Sequence, residues 1–267
     1  MKNMDRVIFG SILLIGLGFG LNAQACTTDG WQGGAVNATV GEPKAIKRYS
    51  EFCAMAITDS TSHVQSNFAS DTRYIGRFYF YPKDASGAGE VDILVAYSDE
   101  GGASPLFTIS YDGTDFIFDA TGAGGGSEST VADTDHWNLI EFEYDSDTDT
   151  FNYWVNETWD FGTLAYTTGP TGTFSSGTGT VEAVRLGTPN GMAGQSGTFA
   201  FDAYESHRTT PVGALLTGDA NNNGSISVAD VVSVINELGG ALQVGQPDCN
   251  ETGGVSVADA VCLINLL

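Results

Sequence analysis

From about residue 45 to residue 208, apolar residues recur at every second position, the spacing that gives a strand one buried and one wet face. In the run Ile75-Gly76-Arg77-Phe78-Tyr79-Phe80-Tyr81, Phe78 and Phe80 share a face. Ile93, Val95 and Tyr97 alternate with Asp92, Leu94 and Ala96. Leu106 to Tyr111, then Asp112-Gly113, then Phe116 to Phe118 reads as a hairpin, because Asp-Gly supplies the backbone that a tight β-turn needs. Ile140, Phe142 and Tyr144 alternate with Leu139, Glu141 and Glu143, and Phe151, Tyr153 and Val155 follow after an acidic turn. Phe199, Phe201 and Ala203 close the region. Many strands with short polar turns predict a mainly β fold, an antiparallel jelly roll or β-sandwich.

Near Thr209 this pattern stops. Thr209-Thr210-Pro211-Val212-Gly213 has linker composition, and residues 209–216 read as the joint between two domains, 26–208 and 217–267. The last segment is a repeat. Asp219-Ala220-Asn221-Asn222-Asn223-Gly224-Ser225-Ile226-Ser227-Val228-Ala229-Asp230 is matched 29 positions later by Asp248-Cys249-Asn250-Glu251-Thr252-Gly253-Gly254-Val255-Ser256-Val257-Ala258-Asp259. After each loop a helical pattern follows. Val228, Val231, Val232, Ile235 and Leu238 form one apolar stripe, and Val257, Ala260, Val261, Ile264 and Leu267 form its counterpart.

The chain begins with an address. Lys2 and Arg6 precede an almost wholly apolar run, Val7 to Leu21, and Ala23-Gln24-Ala25 is a small-x-small cleavage pattern. The expectation is a signal peptide over 1–25, cleavage after Ala25 and a secreted product. The run is shorter than the roughly 20 residues that a bilayer span takes. Cleavage would leave Cys26 first, which raises lipidation as a minor alternative; the preceding Ala23-Gln24 departs from the Leu-led pattern of bacterial lipoproteins.

The cysteines left after cleavage are Cys26, Cys53, Cys249 and Cys262, an even set in an exported chain, which favours disulfides. Proximity favours Cys26–Cys53 and Cys249–Cys262 among the three possible pairings. A zinc site is disfavoured, since His63, His136 and His207 all lie away from the cysteine pairs. With 10 basic and 33 acidic residues the formal net charge is −23, which repels phosphate backbones and anionic membranes. Nucleic acid is therefore excluded as a natural partner. The same charge suits an exterior where divalent cations neutralise carboxylates.

The repeat carries the strongest chemistry. A hard cation such as calcium takes six to eight oxygens, and a twelve-residue loop offers them from positions 1, 3, 5, 7, 9 and 12. In the first loop these are Asp219, Asn221, Asn223, the Ser225 carbonyl, Ser227 and Asp230. In the second they are Asp248, Asn250, Thr252, the Gly254 carbonyl, Ser256 and Asp259. Gly224 and Gly253 fill position six, where the chain turns sharply, and Ile226 and Val255 are apolar at position eight. Two calcium sites are expected. Each loop has only two carboxylates, so affinity should be weak, and weaker in the second loop.

An ordinary EF-hand has a helix before each loop. Here Leu215-Leu216-Thr217-Gly218 and Val244-Gly245-Gln246-Pro247 stand there, and neither is helical in pattern. Loop then helix, twice, with Asp at position twelve, resembles a type I dockerin over about residues 217 to 267. The resemblance implies a cohesin-type scaffold as partner. It also implies that positions ten and eleven, Val228-Ala229 and Val257-Ala258, help select that partner in two equivalent orientations. Asn223 and Thr252 depart from the Asp common at position five.

The strand region resembles the concanavalin A-like lectin/glucanase superfamily. The resemblance rests on Arg77-Phe78-Tyr79-Phe80, on Gly197-Thr198-Phe199-Ala200-Phe201-Asp202, and on Trp137-Asn138-Leu139-Ile140-Glu141-Phe142, which is similar to a laminin-G-like hairpin. Some jelly-roll glycoside hydrolases carry Glu-x-Asp-x-x-Glu on a strand, one carboxylate as nucleophile and another as acid/base. Glu90 and Asp92 match, but the third position is Val95, so the proton donor is missing. Asp145, Asp147 and Asp149 read as a solvated hairpin turn, since Thr150 and Asn156 occupy positions six and twelve of any calcium loop starting there. Trp31, Trp137, Trp154 and Trp159 could stack on sugar rings. Trp154 faces away from Phe151, Tyr153 and Val155, which makes it the best single candidate for a glycan platform. The expected function is non-catalytic: a secreted lectin-like sandwich that binds polysaccharide or a cell-surface glycan and is tethered by a calcium-binding dockerin, in polysaccharide breakdown. Two rivals stand: a divergent glycoside hydrolase or polysaccharide lyase using acids from separate strands, and a structural or adhesive surface protein with the calcium module as a cap.

Overall fold

The computed structural model describes residues 31, 33–36, 39–40, 54–58, 61–241, 243, 245–252 and 254–267. The expected signal peptide 1–25, the pair Cys26–Cys53 and the turn residue Gly253 lie outside the described residues. In chain order the strands are β1 (Ala35–Val36), β2 (Thr39–Val40), β3 (Met55–Ile57), β4 (Ser62–Asp71), β5 (Arg73–Ser86), β6 (Val91–Tyr97), β7 (Pro105–Tyr111) and β8 (Asp115–Asp119). They continue as β9 (Ser127–Val131), β10 (Asn138–Asp145), β11 (Thr150–Val155), β12 (Trp159–Asp160), β13 (Ala165–Tyr166), β14 (Gly172–Phe174), β15 (Val181–Thr188) and β16 (Ser196–His207). Two helices end the chain, α1 (Val228–Leu238) and α2 (Val257–Leu266).

Fourteen of these strands form a jelly-roll sandwich of two antiparallel seven-stranded sheets, ordered β1-β4-β15-β6-β7-β8-β9 and β14-β11-β10-β5-β16-β3-β2, and β12 pairs with β13 apart from them. The period-two pattern explains the core. Phe78 and Phe80, Ile140, Phe142 and Tyr144, Phe151 and Tyr153, and Phe199 and Phe201 face inward from the second sheet. They meet Ile93, Phe107, Phe116 and Phe118 of the first. Rings interlock edge to face, as in Phe80 with Phe116 at 5.8 Å and Phe107 with Phe151 at 5.2 Å, geometry that favours aromatic pairs beyond their buried area.

The two hairpins read from the sequence are present. Tyr111 pairs with Phe116 across the turn, and Asp112 closes it by accepting the amides of Thr114 and Asp115. Phe142 pairs with Tyr153, and the Asp145 carboxylate accepts the amides of Asp147 and Thr148 in the acidic turn between them.

Alternation fails at bulges, and at two of them an expectation changes. A register shift between Asp92 and Leu94 turns both Ile93 and Leu94 into the core, while Val95 and Tyr97 face outward. The expected set of Ile93, Val95 and Tyr97 on one face is therefore split. A second shift between Asp202 and Glu205, with Ala203 at φ 50°, places Ala203 with the outer cluster of Tyr79 and Leu139 rather than with Phe199 and Phe201.

The C-terminal segment folds on its own small core. Ala220, Val231 and Val234 of the first unit pack with Cys249, Ala260 and Leu263 of the second, flanked by Ile226, Val255 and Cys262. Cys249 and Cys262 form the expected disulfide. The predicted helical stripes do not stay whole. Val231 and Ala260 turn inward, while Val228, Val232, Ile235 and Leu238, with Val257, Val261, Ile264 and Leu267, remain 43–70% exposed. Among the described residues each helix therefore buries one side against the other unit and leaves apolar side chains exposed. Among the described residues no helix is long and apolar enough to cross a membrane.

Candidate functional site

Each C-terminal loop closes around two buried carboxylates. Asp219 accepts the amides of Asn223 at 3.0 Å and Gly224 at 2.6 Å; Asp230 accepts those of Asn221 at 3.2 Å and Ser227 at 2.8 Å. The second loop repeats this. Asp248 accepts Thr252 and Gly254, and Asp259 accepts Asn250 and Ser256. The fourth residue of each loop is left-handed, Asn222 at φ 57° and Glu251 at φ 56°, and Gly224 at position six has φ 82°. Ser227 with Asp230, and Ser256 with Asp259, are also the capping boxes that start α1 and α2. Gln246 joins the loops, accepting the Gly218 amide at 2.9 Å and donating to the Asp248 carbonyl at 2.7 Å.

Among the described residues no cluster of three or more His, Cys, Asp or Glu is present. A hard cation in these loops would therefore be held mostly by amide, hydroxyl and carbonyl oxygens beside the paired carboxylates. One atom fits that role on structural grounds. Asn221 Oδ1 is buried and has no hydrogen-bond partner, which is costly unless something else meets it. Its counterpart Asn250 Oδ1 is already taken by the Thr252 hydroxyl at 2.7 Å. The two loops thus differ at their third position.

The outer face of the second sheet is covered. Residues 212–215, read as linker from their composition, lie across it. Glu141, fully buried, accepts the amides of Val212 at 2.9 Å and Gly213 at 2.7 Å and the hydroxyl of Tyr166 at 2.7 Å. Arg77 donates to the Gly213 carbonyl at 2.8 Å, and Tyr79 Oη accepts the Leu215 amide at 2.9 Å. Burial raises the Glu141 pKa above the usual carboxylate range; the Tyr166, Gly213 and Val212 donors and Arg77 pull the other way. Trp154 lies under this cover at 9% exposure. Its ring stacks on Tyr166 at 5.2 Å with an 11° interplanar angle, and Trp159 meets Tyr166 edge on. This corrects the expectation of an open glycan platform at Trp154: the face a sugar would use is filled by Tyr166. Trp31 and Trp137 are buried as well.

The glucanase-like pair also has other work. Asp92 accepts the Ser110 hydroxyl at 2.8 Å and the Asn190 side-chain amide at 2.5 Å, while Glu90 is exposed just before β6. Val95, at the third position, is buried. Sequence reading did not single out the residues of the first sheet's outer face, Gln65, Arg185 and Tyr97. They come together from strands up to 120 positions apart, with Arg185 Nε donating to Gln65 Oε1 at 2.7 Å and its guanidinium 4.8 Å over the Tyr97 ring.

The geometry defines the class: a jelly-roll β-sandwich followed by a small duplicated loop–helix module. No family model matches the chain, and no curated protein matches it in sequence. Solved structures similar to it include the cellulose induced protein Cip1, at 13% identity over 68% of this chain and 88% of that one, with a TM-score of 0.47. Alginate lyase A1-II′ of polysaccharide lyase family 7 is similar at 10% identity over 60% and 81%, with a TM-score of 0.40. The catalytic domain of the glycoside hydrolase family 131 protein from Coprinopsis cinerea is similar at 12% identity over 60% and 73%, with a TM-score of 0.36.

Proposed function

We propose that this is an exported carbohydrate-binding protein whose sandwich engages a polysaccharide and whose C-terminal module, folded around calcium, docks onto a cohesin-type scaffold. The observation that carries the reading is the duplicate. At a constant offset of 29 residues the two units repeat their ligand-bearing loops, their capping boxes and their exposed apolar stripes. A lone stabilising cap needs one buried face per helix; these helices keep a second apolar face in water, which marks an interaction surface. The buried, unpartnered Asn221 Oδ1 supports calcium in the first loop. Calcium bound to the folded module alone would stabilise it by mass action. The Cys249–Cys262 disulfide supports export, since such bonds persist in oxidising compartments.

The test uses the mature chain, Cys26 to Leu267. Calorimetric calcium titration should show binding that restores helical signal after chelation. Calcium-dependent capture on immobilised cohesin modules should follow, with retention on at least one polysaccharide of a soluble and insoluble panel. Absence of a calcium response would sink the module half of the reading, and absence of retention on any glycan would sink the sandwich half.

A further inference from the structure

The outer face of the first sheet carries a polar row beside the buried Val95, Tyr97 and Ala183. Register sets Gln65 of β4 opposite Arg185 of β15, and Arg185 opposite Val95 of β6. Arg185 donates from Nε to Gln65 Oε1 at 2.7 Å and from Nη2 to the Gly101 carbonyl at 3.0 Å, over the Tyr97 ring. Gln65 is fixed in turn, donating to Asn67 Oδ1 at 2.7 Å and the Glu100 carbonyl at 2.8 Å. Among the described residues only neutral groups hold this guanidinium. Arg73, Arg77 and Arg208 each meet a carboxylate, at 2.5, 3.3 and 2.5 Å; among the described residues Arg185 meets none. In a chain with 33 acidic residues, that is no shortage of carboxylates. Of the nearby acids, Asp92 is engaged by Ser110 and Asn190 and Asp99 by the amides of Ala103 and Ser104, while Glu100 is exposed.

His63 lies two residues from Gln65 on the same strand face. It is 8% exposed, and its Nδ1 is buried without a partner. Burial and the Arg185 charge push its pKa down to about 4, so near neutral pH the ring is uncharged and can donate or accept one hydrogen bond. A preorganised cation with no carboxylate partner among the described residues, beside an unpartnered ring nitrogen, is an arrangement that a carboxylate from outside would complete.

We propose that Arg185, Gln65 and His63 form a subsite for the carboxylate of a uronic acid in an anionic polysaccharide. The proposal rests on the sandwich being a glycan binder and names the class of glycan. Arg185 would pair with the carboxylate, Gln65 would hold Arg185 in place, and His63 would hydrogen-bond the same acid group or its neighbouring hydroxyl.

The test is calorimetry on the mature chain at fixed calcium, with short oligogalacturonates, neutral xylo-oligosaccharides and a sulfated oligosaccharide as probes. Oligouronide binding is expected, weakened by salt and at least tenfold weaker in Arg185→Gln and His63→Ala. Because Arg185 also fastens residues 99–104, the His63 variant and the charge-retaining Arg185→Lys separate lost recognition from lost structure; Arg185→Lys should keep part of the affinity. Equal oligouronide affinity in all variants would overturn the subsite, as would binding of neutral or sulfated probes without the oligouronide. No binding of any glycan would overturn the wider reading along with it.

Discussion

The carboxylate of Glu141 accepts the main-chain amide of Gly213 at 2.7 Å across 72 positions of sequence. This one bond shows how the segment after β16 is kept on the sheet. Gly213 sits at φ 82°, and a side chain there would run into the Trp159 ring, so the site accepts only a bare backbone. Replacing Glu141 by Ala would leave the amides of Val212 and Gly213 and the Tyr166 hydroxyl without their acceptor. A buried donor left unsatisfied costs about 1–3 kcal/mol, and several are left here. Urea denaturation should show that loss, and limited proteolysis should open new cuts within 209–216. An unchanged midpoint and cleavage map would show that the contact holds nothing in place.

His63 gives the sandwich a pH dependence of definite sign. Its folded pKa of about 4 lies below the unfolded value of 6.5. Between those values the unfolded chain binds a proton that the folded one refuses, so stability falls as pH drops from 6.5 towards 4. After allowance for solvent screening the effect is about 1–2 kcal/mol. Denaturation midpoints of wild type and His63→Gln, measured from pH 7.5 to pH 4.5, should diverge, with wild type losing more on acidification. A constant gap between them would remove His63 as the cause.

The parts of this structure that could be read from the sequence are those whose geometry is local. Strand alternation directly encodes which of Phe78 and Tyr79 faces the core, and a twelve-residue loop repeats its carboxylates at fixed spacing. Bulges hide because an extra residue changes the face without changing composition, as Ile93-Leu94 and Ala203 show. The surroundings of Trp154 and its cross-strand partner Glu141 are hidden for a different reason. Both lie on the polar-reading face of the second sheet, and what covers that face arrives from residues 159–166 and 212–215. The pairing of Arg185 with Gln65 spans 120 positions and leaves no local trace.

Trp154 is expected to act through stability. Its ring supports Tyr166, whose hydroxyl donates to Glu141. Truncating a buried aromatic costs about 3–5 kcal/mol, so Trp154→Ala should lower the denaturation midpoint strongly and Trp154→Phe should restore most of it. A double variant with Glu141→Ala should cost less than the sum of the two, since both loosen one assembly. Glycan affinity lost at an unchanged midpoint would instead return Trp154 to a binding role.

The Cys249–Cys262 cross-link spans 13 positions in the second unit, where the first has Ala220 and Ser233. A loop of about this length is worth about 3 kcal/mol in the chain-entropy account. It braces the unit whose Asn250 oxygen is already engaged by Thr252. In Cys249→Ala/Cys262→Ser the calcium midpoint for folding of the module should rise by about tenfold or more, because ligand must supply the missing stability. The sandwich, followed by its aromatic near-ultraviolet signal, should be unaffected. An unmoved calcium midpoint would mean that the cross-link leaves the unfolded module no more constrained than its absence does.

The two exposed stripes make the most specific prediction. Val228, Val232, Ile235 and Leu238 on α1 correspond at 29 residues to Val257, Val261, Ile264 and Leu267 on α2. If either helix can present the docking face, an acidic residue in one stripe leaves the other usable. Ile235→Asp and Ile264→Asp should each bind an immobilised cohesin module within a few-fold of wild type. The double variant should lose binding by two orders of magnitude or more, since a charge buried in an apolar interface without a partner costs several kcal/mol. These side chains already face water, so helical content and calcium response should be preserved in all three proteins. If one single variant abolishes binding and the other has no effect, the module docks through one helix only, and the repeat serves the fold rather than the partner.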